Sequence, residues 1–177
     1  MDSEIADEEL AGLEEPERPG ARRVLDQDTI REPIRVLSPR APLCLSPDAS
    51  LDEAVRLMRE NHVGCVLAVE DGRLTGILTE RDLLLKLEGV DFSRPVRDLM
   101  TAEPEVLRLD DPIVYALHRM SVGGYRHVPL VDDGDRPVGI LSVKDIVHYI
   151  VAFFPNEVLT LPPDPERADV WSERDGA

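Results

Sequence analysis

Two seven-residue segments contain the residues of this sequence that could bind a ligand. They read GILTERD at positions 76–82 and GILSVKD at 139–145, and they begin 63 residues apart. Each has a hydroxyl residue followed three positions later by an Asp, after a glycine and an apolar pair. Free backbone amides at a helix start can bind a phosphate, and an Asp placed there could accept hydrogen bonds from sugar hydroxyls.

The same residues also have a purely structural interpretation. Thr79 and Ser142 would be N-caps, while Asp82 and Asp145 would stabilise the first turn of a helix near the positive end of its dipole. A single copy would favour this interpretation. The second copy, in the same context, favours a binding site, and both interpretations stay open at this point.

The elements that must position the first segment form one unit. A Ser50 capping box precedes apolar residues at helical spacing, and Asp71-Gly72 predicts a tight hairpin turn. The predicted elements are a strand at 43–45, a helix from Leu51 to about Asn61, strands at 63–69 and 74–78, and a helix at 79–86.

The same order of elements recurs 62 residues later. One extra residue in the second hairpin turn increases this spacing to 63 for the residues that follow it. Asp111 is predicted as the N-cap of its first helix, with Pro112 at the first helical position. The predicted elements are a strand near 105–109, a helix to about Val122, strands at 126–131 and 137–141, and a helix from Val143 to Phe153.

One unit alone would expose a face of its sheet. Two units related by a pseudo-twofold axis can cover each other and leave clefts lined by both. We therefore predict an α+β fold of two βαββα units, with disordered acidic termini. The predicted divisions are 1–34 (acidic segment), 35–90, 91–153 and 154–177 (extended tail).

Composition and charge limit the function. The 177 residues carry a net charge of −16, of which residues 1–20 contribute −7 and residues 155–177 contribute −4. The absence of a basic stripe argues against nucleic acid. There is no apolar run long enough for a membrane span and no N-terminal signal segment, so we predict a cytoplasmic protein.

The sequence offers no legible catalytic machinery. The four histidines are scattered without metal-ligand spacing, and no nucleophile–histidine or paired-carboxylate arrangement is visible. We therefore predict a protein that is not an enzyme and requires no cofactor.

Over residues 36–153 the chain resembles a tandem pair of CBS domains, named after cystathionine β-synthase and also called a Bateman module. The resemblance rests on the two repeated segments, on VRDLMT at 96–101 and on YRHVPLV at 125–131. The overall likeness is to small stand-alone bacterial proteins. It implies a regulatory module and homodimer that binds AMP, ADP or ATP, or sometimes S-adenosylmethionine.

The resemblance also implies roles for individual residues. Each motif Asp would hold the ribose hydroxyls, with the motif Thr or Ser at the ribose or phosphate. Apolar strand residues would flank the adenine, and the leading strand of the opposite half would close each cleft. The implied residues are Thr79, Asp82, Val66 and Ile77 with Val106 in one half, and Gly139, Ile140, Ser142, Asp145, Val128 and Pro129 with Cys44 in the other.

The halves differ at Arg126 and His127, which align with Gly64 and Cys65. A phosphate prefers a site with a cation, and Arg is the better phosphate ligand. We therefore rank the Asp145 cleft above the Asp82 cleft. The structural alternatives are that Arg126 is a surface strand residue and His127 a satisfied interior residue.

The sequence leaves two functions open. One is an adenine-nucleotide sensor whose change of shape is detected by a protein partner. The other is a ligand-free dimeric interaction scaffold that recruits a protein partner.

Overall fold

The computed structural model describes residues 25–86 and 91–154. The acidic segment 1–20 and the tail from residue 155, predicted to be disordered and extended, lie outside the described residues. Short 3-10 turns cover Thr29–Arg31, Ile34–Leu37 and Val96–Asp98. The strands and helices are β1 (Cys44–Leu45), α1 (Leu51–Glu60), β2 (Cys65–Glu70), β3 (Arg73–Thr79), α2 (Glu80–Lys86), β4 (Thr101–Ala102), α3 (Ile113–Val122), β5 (His127–Val131), β6 (Pro137–Ser142) and α4 (Val143–Val151).

The first sheet has the order β1-β2-β3-β4. β1 runs parallel to β2, and the other neighbours are antiparallel. Asp71 and Gly72 both have positive φ, at 50° and 77°, as the predicted two-residue hairpin turn requires. β4 lies beyond the predicted boundary between the halves, yet it pairs with β3, with Ala102 opposite Gly76.

The second sheet is the β5-β6 hairpin, extended by two single bridges. Leu107 pairs in parallel with Leu130, and Arg40 pairs antiparallel with Ile140. The strand predicted near 105–109 is therefore reduced to one pair. The reason is a turn that follows directly, in which the Arg108 amide donates to the Asp111 carboxylate at 2.7 Å.

The segments that lead into the two halves are exchanged between them. Ile34 is fully buried among the core residues of the second half, and its amide donates to the Asp111 carbonyl at 2.9 Å. Val96 is fully buried in the core of the first half, and its amide donates to the Ala49 carbonyl at 2.8 Å. Each core is thus completed by the chain that precedes the other half.

This exchange also corrects the predicted start of α3. Pro112 is the N-cap rather than the first helical residue, and no side chain caps the helix. Because the Ile113 amide donates to the Glu32 carbonyl of the exchanged segment at 2.9 Å, an Asp111 cap is not needed there. At α1 the predicted cap is confirmed, since the Glu53 amide donates to Ser50 Oγ at 3.1 Å.

The two sheets face each other across an apolar layer. Cys65, Leu67 and Ile77 are buried together, with Leu74 and Ile140 packed against them. Helices cover the outer face of each sheet. The predicted α+β fold of two packed βαββα units is confirmed. No helix within the described ranges is both long and apolar enough to cross a bilayer.

Candidate functional site

Two cavities lie where the halves meet, and each is built from both. The Asp82 pocket, of about 320 Å³, joins the Thr79–Asp82 corner to Thr101 and Pro104 of the leading segment of the second half. The Asp145 pocket, of about 470 Å³, joins the Ser142–Asp145 corner to Arg40, Ala41 and Leu43 of the first half. Both volumes lie in the range of small-molecule sites.

The corner of the Asp145 pocket leaves one carboxylate oxygen available. Asp145 Oδ2 accepts from the Ser142 amide at 2.7 Å and from Ser142 Oγ at 2.6 Å, and Ser142 Oγ accepts from the Asp145 amide at 3.3 Å. This capping box fixes the orientation of the carboxylate. Within residues 25–86 and 91–154, Oδ1 has no hydrogen-bond or ion-pair partner.

The corner of the Asp82 pocket is built in the same way, but both of its carboxylate oxygens have partners. Asp82 Oδ2 accepts from the Thr79 amide at 3.0 Å and from Thr79 Oγ1 at 2.6 Å. Oδ1 accepts from Lys86 Nζ at 3.0 Å. The difference arises one helical turn later, where Lys86 of α2 aligns with Tyr149 of α4, whose hydroxyl donates to Glu32.

The two pockets also differ in charge. The Asp145 pocket has three cationic side chains and one carboxylate in its wall, namely Arg40, Arg126, Lys144 and Asp145. The Asp82 pocket has four carboxylates and two guanidinium groups, namely Glu80, Asp82, Glu103, Glu105, Arg81 and Arg126. A phosphate is therefore favoured in the Asp145 pocket.

A shared wall separates the pockets at the junction of the halves. Gly64, Arg126 and His127 line both cavities. A Cβ placed on Gly64 would lie 3.2 Å from His127 Cε1 and 3.3 Å from Glu80 Oε2. A side chain at position 64 would therefore have to displace the imidazole ring or the Glu80 carboxylate by a few tenths of an ångström.

Burial and nearby charges shift the pKa values of two side chains in this wall, His127 and Cys65. Burial is the main cause that lowers the pKa of His127, and Arg126 acts in the same direction, while Glu80 and Asp145 oppose it. Burial, aided by Glu80, raises the pKa of Cys65 to about 12. Cys65 is therefore a neutral thiol in the wall of the Asp145 pocket.

Most of the residues predicted for the site lie around the two cavities. Arg126 and His127 line both. The others that line one cavity are Ile77, Thr79, Asp82 and Pro129 in the Asp82 pocket, and Ile140, Ser142 and Asp145 in the Asp145 pocket.

Five residues predicted for the site lie elsewhere. Val66 and Val128 are buried against the helices on the outer faces of the sheets, because side chains alternate along a strand and theirs point away from the junction. Gly139 packs against Pro39 and Leu130. Cys44 and Val106 each follow the last pocket-lining residue of their leading segment, Leu43 and Glu105.

Three cationic residues at the two cavities were not among the predicted residues. Arg40 and Lys144 line the Asp145 pocket, and Lys86 holds Asp82. The signal for Lys86 was present in the sequence, since an Asp and a Lys four residues apart on a helix form an ion pair. Arg40 could have been identified by comparing the two halves, because the residue aligned with it is the uncharged Ala102.

A larger and more open depression, of about 970 Å³, runs along α1. Arg56, Arg59 and His62 contribute to its wall together with Glu80 at the start of α2. Its wall includes neither motif Asp and neither motif hydroxyl residue, so the candidate site is the pair of smaller cavities. No group of three metal-ligating side chains occurs within the part of the chain that the structure describes.

Comparison with known proteins gives a consistent assignment. The family model described as CBS domain matches residues 34–89 and 96–152. An uncharacterised 17.7 kDa protein of Acidianus ambivalens is 28% identical over 108 residues, covering 60% of this chain and 66% of that protein. Two CBS domain-containing proteins of Arabidopsis thaliana match over only 21% of their own length.

Solved structures similar to this chain include two with a bound nucleotide. CBSX2 in complex with AMP has a TM-score of 0.62 and 25% identity, covering 68% of this chain and 97% of that one. A CBS domain protein of Pyrobaculum aerophilum complexed with AMP has a TM-score of 0.60 and 26% identity, covering 64% and 88%.

Proposed function

This chain belongs to the CBS-domain family, with two copies in tandem, and we propose that it is a non-catalytic sensor of adenine nucleotides. The proposed ligands are AMP, ADP and ATP, and the Asp145 pocket is the main site. The observation that carries the proposal is the free oxygen of Asp145, in a cavity whose wall holds three cations. The AMP bound to the two similar structures supports the ligand class.

The residues of the Asp145 pocket suit the parts of a nucleotide. Asp145 Oδ1 accepts hydrogen bonds from the ribose hydroxyls, in a charge-assisted contact. Ile140, Leu43 and Val63 supply apolar surface for the adenine ring. Arg126, with the two other cations, binds the phosphates.

The position of the pocket provides a route to regulation. A nucleotide bound there touches Asp145 of one half and Arg40 and Leu43 of the other, so its affinity depends on how the halves are oriented. A ligand shifts the balance between two arrangements by its difference in affinity for them. A protein partner would detect the shifted arrangement.

Calorimetric titration of the full chain with AMP, ADP, ATP and S-adenosylmethionine tests the proposal. We expect at least one nucleotide to bind, and Asp145→Ala to weaken it roughly tenfold to a hundredfold, as expected for lost hydrogen bonds to a charged group. Ser50→Ala is the matched control, because it removes a helix cap far from both pockets. If none of the four ligands binds, or if the Asp145→Ala variant binds as tightly as the unaltered protein, the proposal is refuted.

We also propose that the chain forms a homodimer through its helical faces. Leu84 and Leu85 of α2 are 76% and 78% exposed, and Val122 of α3 is 74% exposed. A second copy could cover these side chains. Light scattering should give twice the chain mass, and the Leu84→Glu/Leu85→Glu variant should give the mass of one chain.

The alternative, a ligand-free scaffold, is favoured by one observation: both oxygens of Asp82 are already partnered within the protein. On that view the corner is only a helix cap. The scaffold predicts that no nucleotide raises the melting temperature and that removing residues 1–20 abolishes capture of a partner. The cytoplasmic location stays a prediction.

A further inference from the structure

We infer that the two pockets take ligands of different charge: a phosphorylated adenosine in the Asp145 pocket, and an adenosine-class ligand without phosphate in the Asp82 pocket. The inference rests on the proposed function and deepens it. It follows from the walls of the two cavities, from the sharing of Arg126, and from their difference in size.

The wall of the Asp82 pocket offers no net attraction to a phosphate. Lys86 neutralises Asp82, and Arg119 pairs with Glu105 from outside the cavity. Glu80 and Glu103 remain, opposed by Arg81 and Arg126. Arg81 is already engaged, since its Nη1 donates to the Gly124 carbonyl at 3.2 Å.

Arg126 couples the two pockets, because it lines both. In the Asp145 pocket it acts with Arg40 and Lys144, so a phosphate bound there draws its guanidinium to that side. The Asp82 pocket is then left with Glu80 and Glu103 facing only Arg81. Nucleotide in one pocket therefore makes the other less favourable to a second anion.

The Asp82 pocket keeps the features that suit a nucleoside. Ile77, Pro129 and the aromatic ring of Tyr125 provide apolar surface. Thr79 orients the Asp82 carboxylate as Ser142 orients Asp145, and Oδ1, whose contact within the described residues is Lys86 Nζ, keeps a second acceptor position for a ribose hydroxyl. The cavity is smaller, at about 320 Å³ against 470 Å³, which matches a ligand that lacks phosphate groups.

AMP and adenosine are the probes, since they differ only in the phosphate. Calorimetry on the full chain should show one AMP per chain. Adenosine titrated into AMP-saturated protein should then bind at one further site per chain. The Asp82→Ala variant should no longer bind adenosine in the presence of AMP, while its binding of AMP should be unchanged.

A charge-removing variant tests the cause directly. Glu80→Gln/Glu103→Gln should raise the affinity of the Asp82 pocket for AMP roughly tenfold, as expected for two repulsions removed at short range, so that two AMP molecules bind per chain. Two equal AMP sites in the unaltered protein would overturn the inference, as would one-for-one displacement of adenosine by AMP or an unchanged AMP count in this variant. If neither probe binds the unaltered protein, the proposed function itself fails and the inference falls with it.

Discussion

Lys86 Nζ donates to Asp82 Oδ1 at 3.0 Å, and it also donates to the Leu99 carbonyl at 2.6 Å. The ammonium group therefore joins α2 to the segment that precedes the second half. At the matching position of the second half, Tyr149 makes no such contact with Asp145; its hydroxyl donates to Glu32. Two corners with the same backbone geometry thus present different numbers of free acceptors.

The Lys86→Met variant should free Asp82 Oδ1 for a ligand. We expect adenosine to bind the Asp82 pocket several-fold more tightly, since an acceptor oxygen is released from an ion pair. Lys86 is 45% exposed, so loss of the pair should change the free energy of unfolding by less than about 1 kcal/mol. Calorimetry and urea denaturation measure the two effects. Arg56→Met, which removes an exposed ion pair on α1, is the control, and equal affinities in both variants would contradict the expectation.

The Gly64→Val variant should damage both pockets at once. Its side chain would press on His127 and Glu80, at a cost of about 1–3 kcal/mol in the free energy of unfolding, and would narrow each cavity. Adding His127→Ala should recover part of that stability, with a coupling of about 0.5 kcal/mol or more. Denaturation of the four proteins completes the double-mutant cycle. Strict additivity would show that the two side chains do not meet.

The pH dependence of stability should carry a contribution from His127. Its pKa is lowered in the folded protein from the usual 6.5, so the unfolded chain binds its proton first as the pH falls. Stability is therefore full above about pH 6.5 and declines below it towards the folded pKa, by at most about 1.4 kcal/mol per pH unit.

His127→Gln should flatten that decline. Urea denaturation at several pH values between 7.5 and 5.5 measures the slope for both proteins. The charged groups that face the ring are Glu80, Arg126 and Asp145. An unchanged slope in the variant would assign the dependence to other groups.

The two cysteines should react at very different rates. Cys44 is exposed, whereas Cys65 is buried and its pKa is raised to about 12. Because the thiolate is the reactive species, iodoacetamide at pH 8 should label Cys44 first and Cys65 only after denaturation. Mass spectrometry of tryptic peptides measures the two rates. Similar rates in the native protein would mean that the junction of the halves opens readily.

Local signals in the sequence predicted much of the fold. Helical spacing of apolar residues located α1, and Asp71-Gly72 located the hairpin turn. The strand near 105–109 is reduced to one pair by the local Arg108–Asp111 turn. The Asp111 cap was wrong because it depends on a contact distant in sequence. The Glu32 carbonyl satisfies the amide that Asp111 was expected to cap, and no local pattern indicates that contact.

The sequence likewise predicted some features of the candidate site and missed others. The repetition of the Asp–hydroxyl segment identified both corners, and the difference between Arg126 and Gly64 indicated unequal pockets. Val66 and Val128 do not line the cavities, because the packing of the two sheets decides which side chains of a strand face the junction. Ile77 and Ile140, which occupy the neighbouring strands, do face the junction.

The exchange of Ile34 and Val96 between the halves has a consequence for how this protein could arise and spread between genes. A fragment encoding one copy would carry the wrong leading segment and lack the one that completes its core. We therefore expect the two copies to be transferred together, since a cut between them removes from each half the segment that completes its core. The pair of copies, rather than a single copy, is therefore the unit that can be transferred between genes.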